Sequence, residues 1–132
     1  MPKNIIEKIW HHHVIMQKKN HPAVLAIDKM LIHEVTSAQA FDELRRRALS
    51  VRYPTRVIAT LDHSISTTKN RTVMTDEQAK IQIETLRKNT QAFGIKLYDF
   101  DSKHQGVVHV IGPELGFTQP GETIVCGDSH TS

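Results

Sequence analysis

The chain has 132 residues, 39% hydrophobic and 23% charged, with 17 Lys and Arg against 14 Asp and Glu for a net charge of +3. That is one domain's worth of sequence, long enough to bury roughly two thirds of its unfolded surface, and it has no apolar stretch near the roughly 20 residues that a membrane-spanning helix needs. Scattered basic residues with 5% aromatics argue against a nucleic-acid surface, and a single cysteine excludes an internal disulfide or a complete cysteine-ligated metal or iron–sulfur site within these residues.

Met1-Pro2-Lys3-Asn4 leads into an amphipathic segment and not a secretory leader, so a cytoplasmic protein is expected. Ile5, Ile6 and Ile9, with Trp10 beside them, predict a short helix over residues 4 to 12. The His11-His12-His13 run is short for a tag, and consecutive helical positions cannot face one metal, so it reads as structural or partly exposed. Ala23 to Ile27 reads as a strand that Asp28 to Val35 continues less regularly. Thr36-Ser37-Ala38-Gln39 has the form of a capping box, and Phe41, Leu44 and Ala48 carry helical spacing to about Ser50. Arg45-Arg46-Arg47 fits the water-facing end of that helix.

Arg56 to Leu61 is a buried-strand run that stops at Asp62-His63-Ser64. Ser64 to Met74 is polar and aperiodic, a loop. Thr75-Asp76-Glu77-Gln78 is a second capping box, and Ala79, Ile83, Leu86, Thr90 and Phe93 mark one face of a long helix closed by Gly94. Ile95 to Phe100 alternates as a strand, whereas Gly106 to Gly116 fits strand or short helix equally. Glu122 to Val125 is a last buried strand, entered from Pro120-Gly121 and left at Gly127. Helix and strand alternate throughout, which predicts a layered α/β domain.

Two strands thus end in carboxylate and imidazole: Asp62-His63 after one, Asp128-Ser129-His130 after the other. Open α/β sheets bind ligands beyond the carboxyl ends of their strands, so the two clusters read as halves of one pocket. For Asp62 and His63 to share a site, the strand must have ended by Leu61, because adjacent strand residues face opposite ways. Each cluster alone also fits blander roles. Asp-His fits a surface turn, Asp128 or Ser129 a helix cap, His109 a core histidine in an apolar run, and Cys126 a small packed side chain. A Ser-His-Asp hydrolase is a compositional option, but the G-x-S-x-G elbow is absent.

The segments Asp62-His63-Ser64-Ile65-Ser66-Thr67, Gln105 to Glu114, and Pro120 to Thr131 together resemble the large subunits of 3-isopropylmalate dehydratases, in the aconitase superfamily. His33-Glu34-Val35-Thr36-Ser37 with Gln39-Ala40-Phe41, and Glu7-Lys8-Ile9-Trp10 with His13, extend the resemblance collinearly over essentially the whole chain. The resemblance implies a layered α/β/α fold, part of the first aconitase-type domain. It also implies a hydro-lyase that interconverts 2- and 3-isopropylmalate at a [4Fe-4S] cluster, with a separate small subunit as partner. By resemblance, Asp62 and His63 manage the proton on the leaving hydroxyl, and His109 pairs with Asp128. Ser129 and His33 contact substrate, and His130 orients water or substrate. The family's cluster cysteines have no counterpart here, since Cys126 matches a position that is not a ligand. The chain therefore reads as an N-terminal fragment, residues 1–132 of an incomplete domain, which by itself binds no stable cluster. Rival readings are a non-catalytic binding module that retains the recognition loops, and another hydro-lyase of the superfamily such as homoaconitase.

Overall fold

The computed structural model describes residues 2–72 and 76–131. Its centre is a four-stranded, wholly parallel sheet in the order β5 (Lys96–Tyr98), β4 (Val57–Thr60), β3 (Lys29–Ile32), β6 (Ile124–Cys126). Successive strands are joined by α2 (Ala38–Arg46), α3 (Glu77–Phe93) and α4 (Val108–Glu114). The register places Leu31 beside Ile58 on one side and Cys126 on the other.

Side-chain alternation splits the core in two. Ile32 and Ala59 face α2 and α3 and pack with Phe41, Ile83 and Leu86, while Leu31 and Ile58 face α4 and pack with Val108 and Ile111. Both sheet faces are therefore covered, which is why these short strands are apolar at consecutive positions and not alternating ones. The result is the expected α/β/α layering.

The chain runs outward from β3 through β4 to β5 and then returns to the opposite flank as β6. β3 thus sits where the strand order reverses, the place at which doubly wound sheets open a crevice. α1 (Ile5–His13), capped by Asn4 and Glu7, and a small antiparallel ribbon of β1 (Val14–Met16) and β2 (Val24–Leu25) lie outside the sheet. Ile5 and Ile6 on α1 remain exposed. No helix among the described residues is long and apolar enough to cross a membrane.

The sequence expectations hold for most elements, and the differences have local causes. The single strand expected over Ala23 to Ile27 is divided: β2 belongs to the ribbon, and the less regular continuation contains the central strand β3. The chain is turned between them by Ala26 donating to the His13 carbonyl and by the Asp28 carboxylate accepting the Thr123 amide at 2.9 Å. α2 ends at Arg46 and not near Ser50, because Ala48 takes a left-handed φ of 52° and Leu49 donates back to the Leu44 carbonyl. Its capping box does not form: Ser37 is the N-cap without a capping bond and donates instead to the His33 carbonyl, while Thr36 donates to Gly127. The Arg triplet does lie at the exposed end of α2, paired with Asp42 and Glu43. At α3, Gly94 closes the helix at φ 67°, as expected, but the N-cap is Asp76, which accepts from Gln78, and not the Thr75 of the capping-box pattern. Val73, Met74 and Thr75, parts of the expected loop and second capping box, lie outside the described residues, as does Ser132. The ambiguous 106–116 segment is helical: burial falls on Val108 and Ile111, three apart, and leaves Val107 and Val110 exposed.

Candidate active site

Strand β4 ends at Thr60, so the chain is free to turn before Asp62 and His63, and both reach the same crevice. The Asp62 side chain is mostly buried, and its Oδ2 accepts the Val108 backbone N–H at 2.9 Å, which fastens the first turn of α4 to the end of β4. Thr60 Oγ1 donating to the Gly106 carbonyl and Gln105 Nε2 donating to the Leu61 carbonyl hold the same junction. α4 in turn carries His109 into the crevice, partly exposed, with Nε2 at 3.2 Å from Thr131 Oγ1. His109 is therefore no core histidine.

Beyond β6, Gly127 precedes a tight turn in which Asp128 Oδ2 accepts the His130 backbone N–H at 2.6 Å. The Asp128 side chain is only 3% exposed, yet four imidazoles surround it. His63 Nε2 lies 3.1 Å from Oδ1 and His130 Nδ1 3.4 Å from Oδ2, with His33 and His109 at 3.9 and 4.0 Å. The His130 N–H, and then the charges of His109, His63 and His130, hold the Asp128 carboxyl below its ordinary range against the opposing effect of burial. Asp62, His63, Val107, His109, Asp128 and His130 line a cavity of about 410 Å³.

The closest pairings differ from those the resemblance implies. His63 sits nearer to Asp128 than to Asp62, whose Oδ1 is 3.8 Å from His63 Nδ1, because the Asp62 carboxylate is turned toward α4. The nearest partner of His109 is Thr131 rather than Asp128. Ser129 is exposed, its hydroxyl at 3.1 Å from His130 Nδ1.

His33, which follows β3, is buried and stacks on the His63 ring with centroids 4.3 Å apart. His33, His63 and Asp128 each place a donor atom within 4.8 Å of the others. Hydrogen bonding argues against a cation there. His33 Nδ1 accepts the Val35 N–H at 3.3 Å, so the proton is on Nε2, which donates to the Gly127 carbonyl at 3.2 Å and keeps no lone pair for a metal. Cys126, at the end of β6, is half-buried, and burial pushes its thiol up, away from the thiolate that metals require.

Glu34 is the residue that site reasoning from the sequence missed. It is 1% exposed and accepts the backbone N–H groups of Asp62 at 2.9 Å, His63 at 2.6 Å and Ser64. Two residues past an apolar strand, a carboxylate carries no local sign of this role, because its partners are backbone amides 28 to 30 residues away.

Residues 7–132 match the aconitase family (aconitate hydratase).

Proposed function

The chain belongs to the aconitase family, and from that premise we propose that it forms the substrate-facing part of a 3-isopropylmalate dehydratase large subunit. The reaction would move water between two positions of a branched hydroxy diacid, in leucine biosynthesis, with a small subunit completing the site and the cytoplasm as its compartment. Enzymes of this family generally use a [4Fe-4S] cluster, which supplies a Lewis acid for a substrate hydroxyl. The residues present do not fit that cluster, since one cysteine with a raised thiol pKa cannot furnish its ligands. Their own chemistry is proton handling and substrate binding.

Removing water from a β-hydroxy acid breaks an α C–H bond, whose proton goes to a base, and a C–O bond, whose oxygen must be protonated as it leaves. Both tasks suit imidazoles held by a carboxylate. Asp128 Oδ1 lies 3.1 Å from His63 Nε2, close enough to favour a proton on that nitrogen. His63 is open to the cavity and would protonate the departing hydroxyl, with Asp62 at 3.8 Å as the second carboxylate facing its ring. His109 and His130, on the other walls, would handle a second proton and orient water. Ser129 offers a hydroxyl donor to a substrate carboxylate. His33 is buried and donates to Gly127, which favours a supporting role over the direct contact that the resemblance suggests.

The observation that carries this reading is the convergence of His63, His109 and His130 on one buried carboxylate at a sheet switch point. The test is turnover by the complete, anaerobically reconstituted enzyme containing this segment. Formation of the unsaturated diacid from 2-isopropylmalate is followed by its ultraviolet absorbance, with citrate and homocitrate as rival substrates. Preference for 2-isopropylmalate supports the proposal; preference for either rival reassigns the substrate within the family, and no turnover of any of them defeats it.

A further inference from the structure

β4 and β6, which carry His63 and Asp128, are not neighbours: β3 lies between them. The residues that follow β3 are thus the ones placed beside both loops, and they grip each of them. On the β4 side, Glu34 Oε2 accepts from Asp62 N–H, and Oε1 from the N–H groups of His63 and Ser64. On the β6 side, the Gly127 carbonyl accepts from Thr36 Oγ1 at 2.7 Å and from His33 Nε2 at 3.2 Å.

We propose that the His33–Thr36 turn is a two-armed positioning element, whose Glu34 arm sets the loop of His63 and whose His33 and Thr36 arm sets the loop of Asp128, so that the two side chains meet across β3. Among the described residues Glu34 has no Lys or Arg partner within 4 Å. A buried carboxylate without a counter-cation is costly unless hydrogen bonds replace its hydration. Three N–H groups do so only when residues 62 to 64 turn inward together, so the burial of Glu34 and the shape of the His63 loop stand or fall as one. The residue type matters for the same reason. A glutamine with its oxygen at the Oε1 position would set its NH₂ against the Asp62 N–H, donor against donor. On the other arm, the Gly127 carbonyl is approached so closely that a Cβ on Gly127 would lie 2.7 Å from Thr36 Oγ1. The inference rests on the proposed reading for the purpose of the clamp, but its existence is tested without turnover.

The experiment is amide hydrogen exchange, ring-proton NOE and side-chain carboxyl carbon measurement on the ¹⁵N,¹³C-labelled chain, as wild type and as E34Q, E34D and T36V. In the wild type, the amides of 62 to 64 should exchange at least tenfold more slowly than that of the exposed Lys69, and the His33 and His63 rings should show mutual NOEs. E34Q should speed exchange at Asp62 at least tenfold and weaken the ring NOE, while Ala59 in β4 keeps its protection. E34D should restore part of both. T36V should leave 62 to 64 protected but shift the Asp128 carboxyl carbon as its contact with His63 loosens. Wild-type amides at 62 to 64 that exchange as fast as Lys69 would overturn the clamp, as would a folded E34Q with the Asp62 amide and ring NOE unchanged. Should E34Q fail to fold, the wild-type rates and T36V decide. An intact clamp in an enzyme inactive on every diacid counts against the proposed reaction alone.

Discussion

His63 Nε2 reaches Asp128 Oδ1 at 3.1 Å although the two are 65 positions apart in sequence and a whole strand separates them in the sheet. The contact spans the end of β3, and the buried His33 ring fills the gap by stacking on His63. A carboxylate so enclosed that it is 3% exposed, yet kept ionised by N–H and imidazole neighbours, is poised to hold an adjacent imidazolium.

In the complete enzyme, D128A should lower kcat by about 10²–10⁴-fold, the usual worth of general acid–base catalysis, with a smaller effect on KM. H109A should act in the same direction. Steady-state kinetics on 2-isopropylmalate separates the outcomes, and an unchanged kcat with a raised KM would make either residue a binding group.

His13 places Nδ1 2.7 Å from the Ile9 carbonyl and Nε2 2.6 Å from Asp28 Oδ2, two acceptors that ask for a proton on each ring nitrogen. The Ile9 hydrogen bond foremost, with Asp28, raises the His13 pKa, and the Thr123 amide foremost, with His13, lowers that of Asp28. The raised His13 contributes stability that is complete below its unfolded pKa of about 6.5 and is lost as pH rises through the higher folded value. The lowered Asp28 contributes stability that is present above its unfolded pKa near 3.8 and is lost as pH falls through the folded value. Thermal unfolding should therefore show a larger gap between wild type and H13A at pH 5.5 than at pH 8.5. A gap independent of pH would refute the charged pair.

Gly127→Ala puts a Cβ 2.7 Å from Thr36 Oγ1 and should cost roughly 1–3 kcal/mol, the usual range for overpacking. T36A in the same chain removes the oxygen and should recover part of that loss, although the bond to the Gly127 carbonyl goes with it. Urea unfolding of the two single variants and the double variant measures the coupling. Strict additivity would mean that the two positions do not press on each other.

Iron and sulfide reconstitution of the chain alone should give no stable [4Fe-4S] absorbance, because Cys126 is its one thiol and burial keeps that thiol protonated. About four irons per chain, lost in C126S, would be the contrary result.

The sequence alone determined the alternation of helix and strand, and with it the layered fold, because core-facing periodicity and helix terminators such as Gly94 act within a few residues of one another. It also marked Asp62-His63 and Asp128-Ser129-His130 as ends of buried strands, since apolar runs that stop at charge are a local pattern. Pairing was beyond its reach. Whether Thr36 caps its own helix or bonds to Gly127, and whether Asp62 faces His63 or the N-terminus of α4, depends on which acceptors and donors the sheet order brings near. The ambiguous run at 107–111 became a helix because only two of its side chains found a core to enter. Glu34 was invisible as a site residue for the same reason: its three partners are amides, identical in every sequence, and only the strand order places them around its carboxylate.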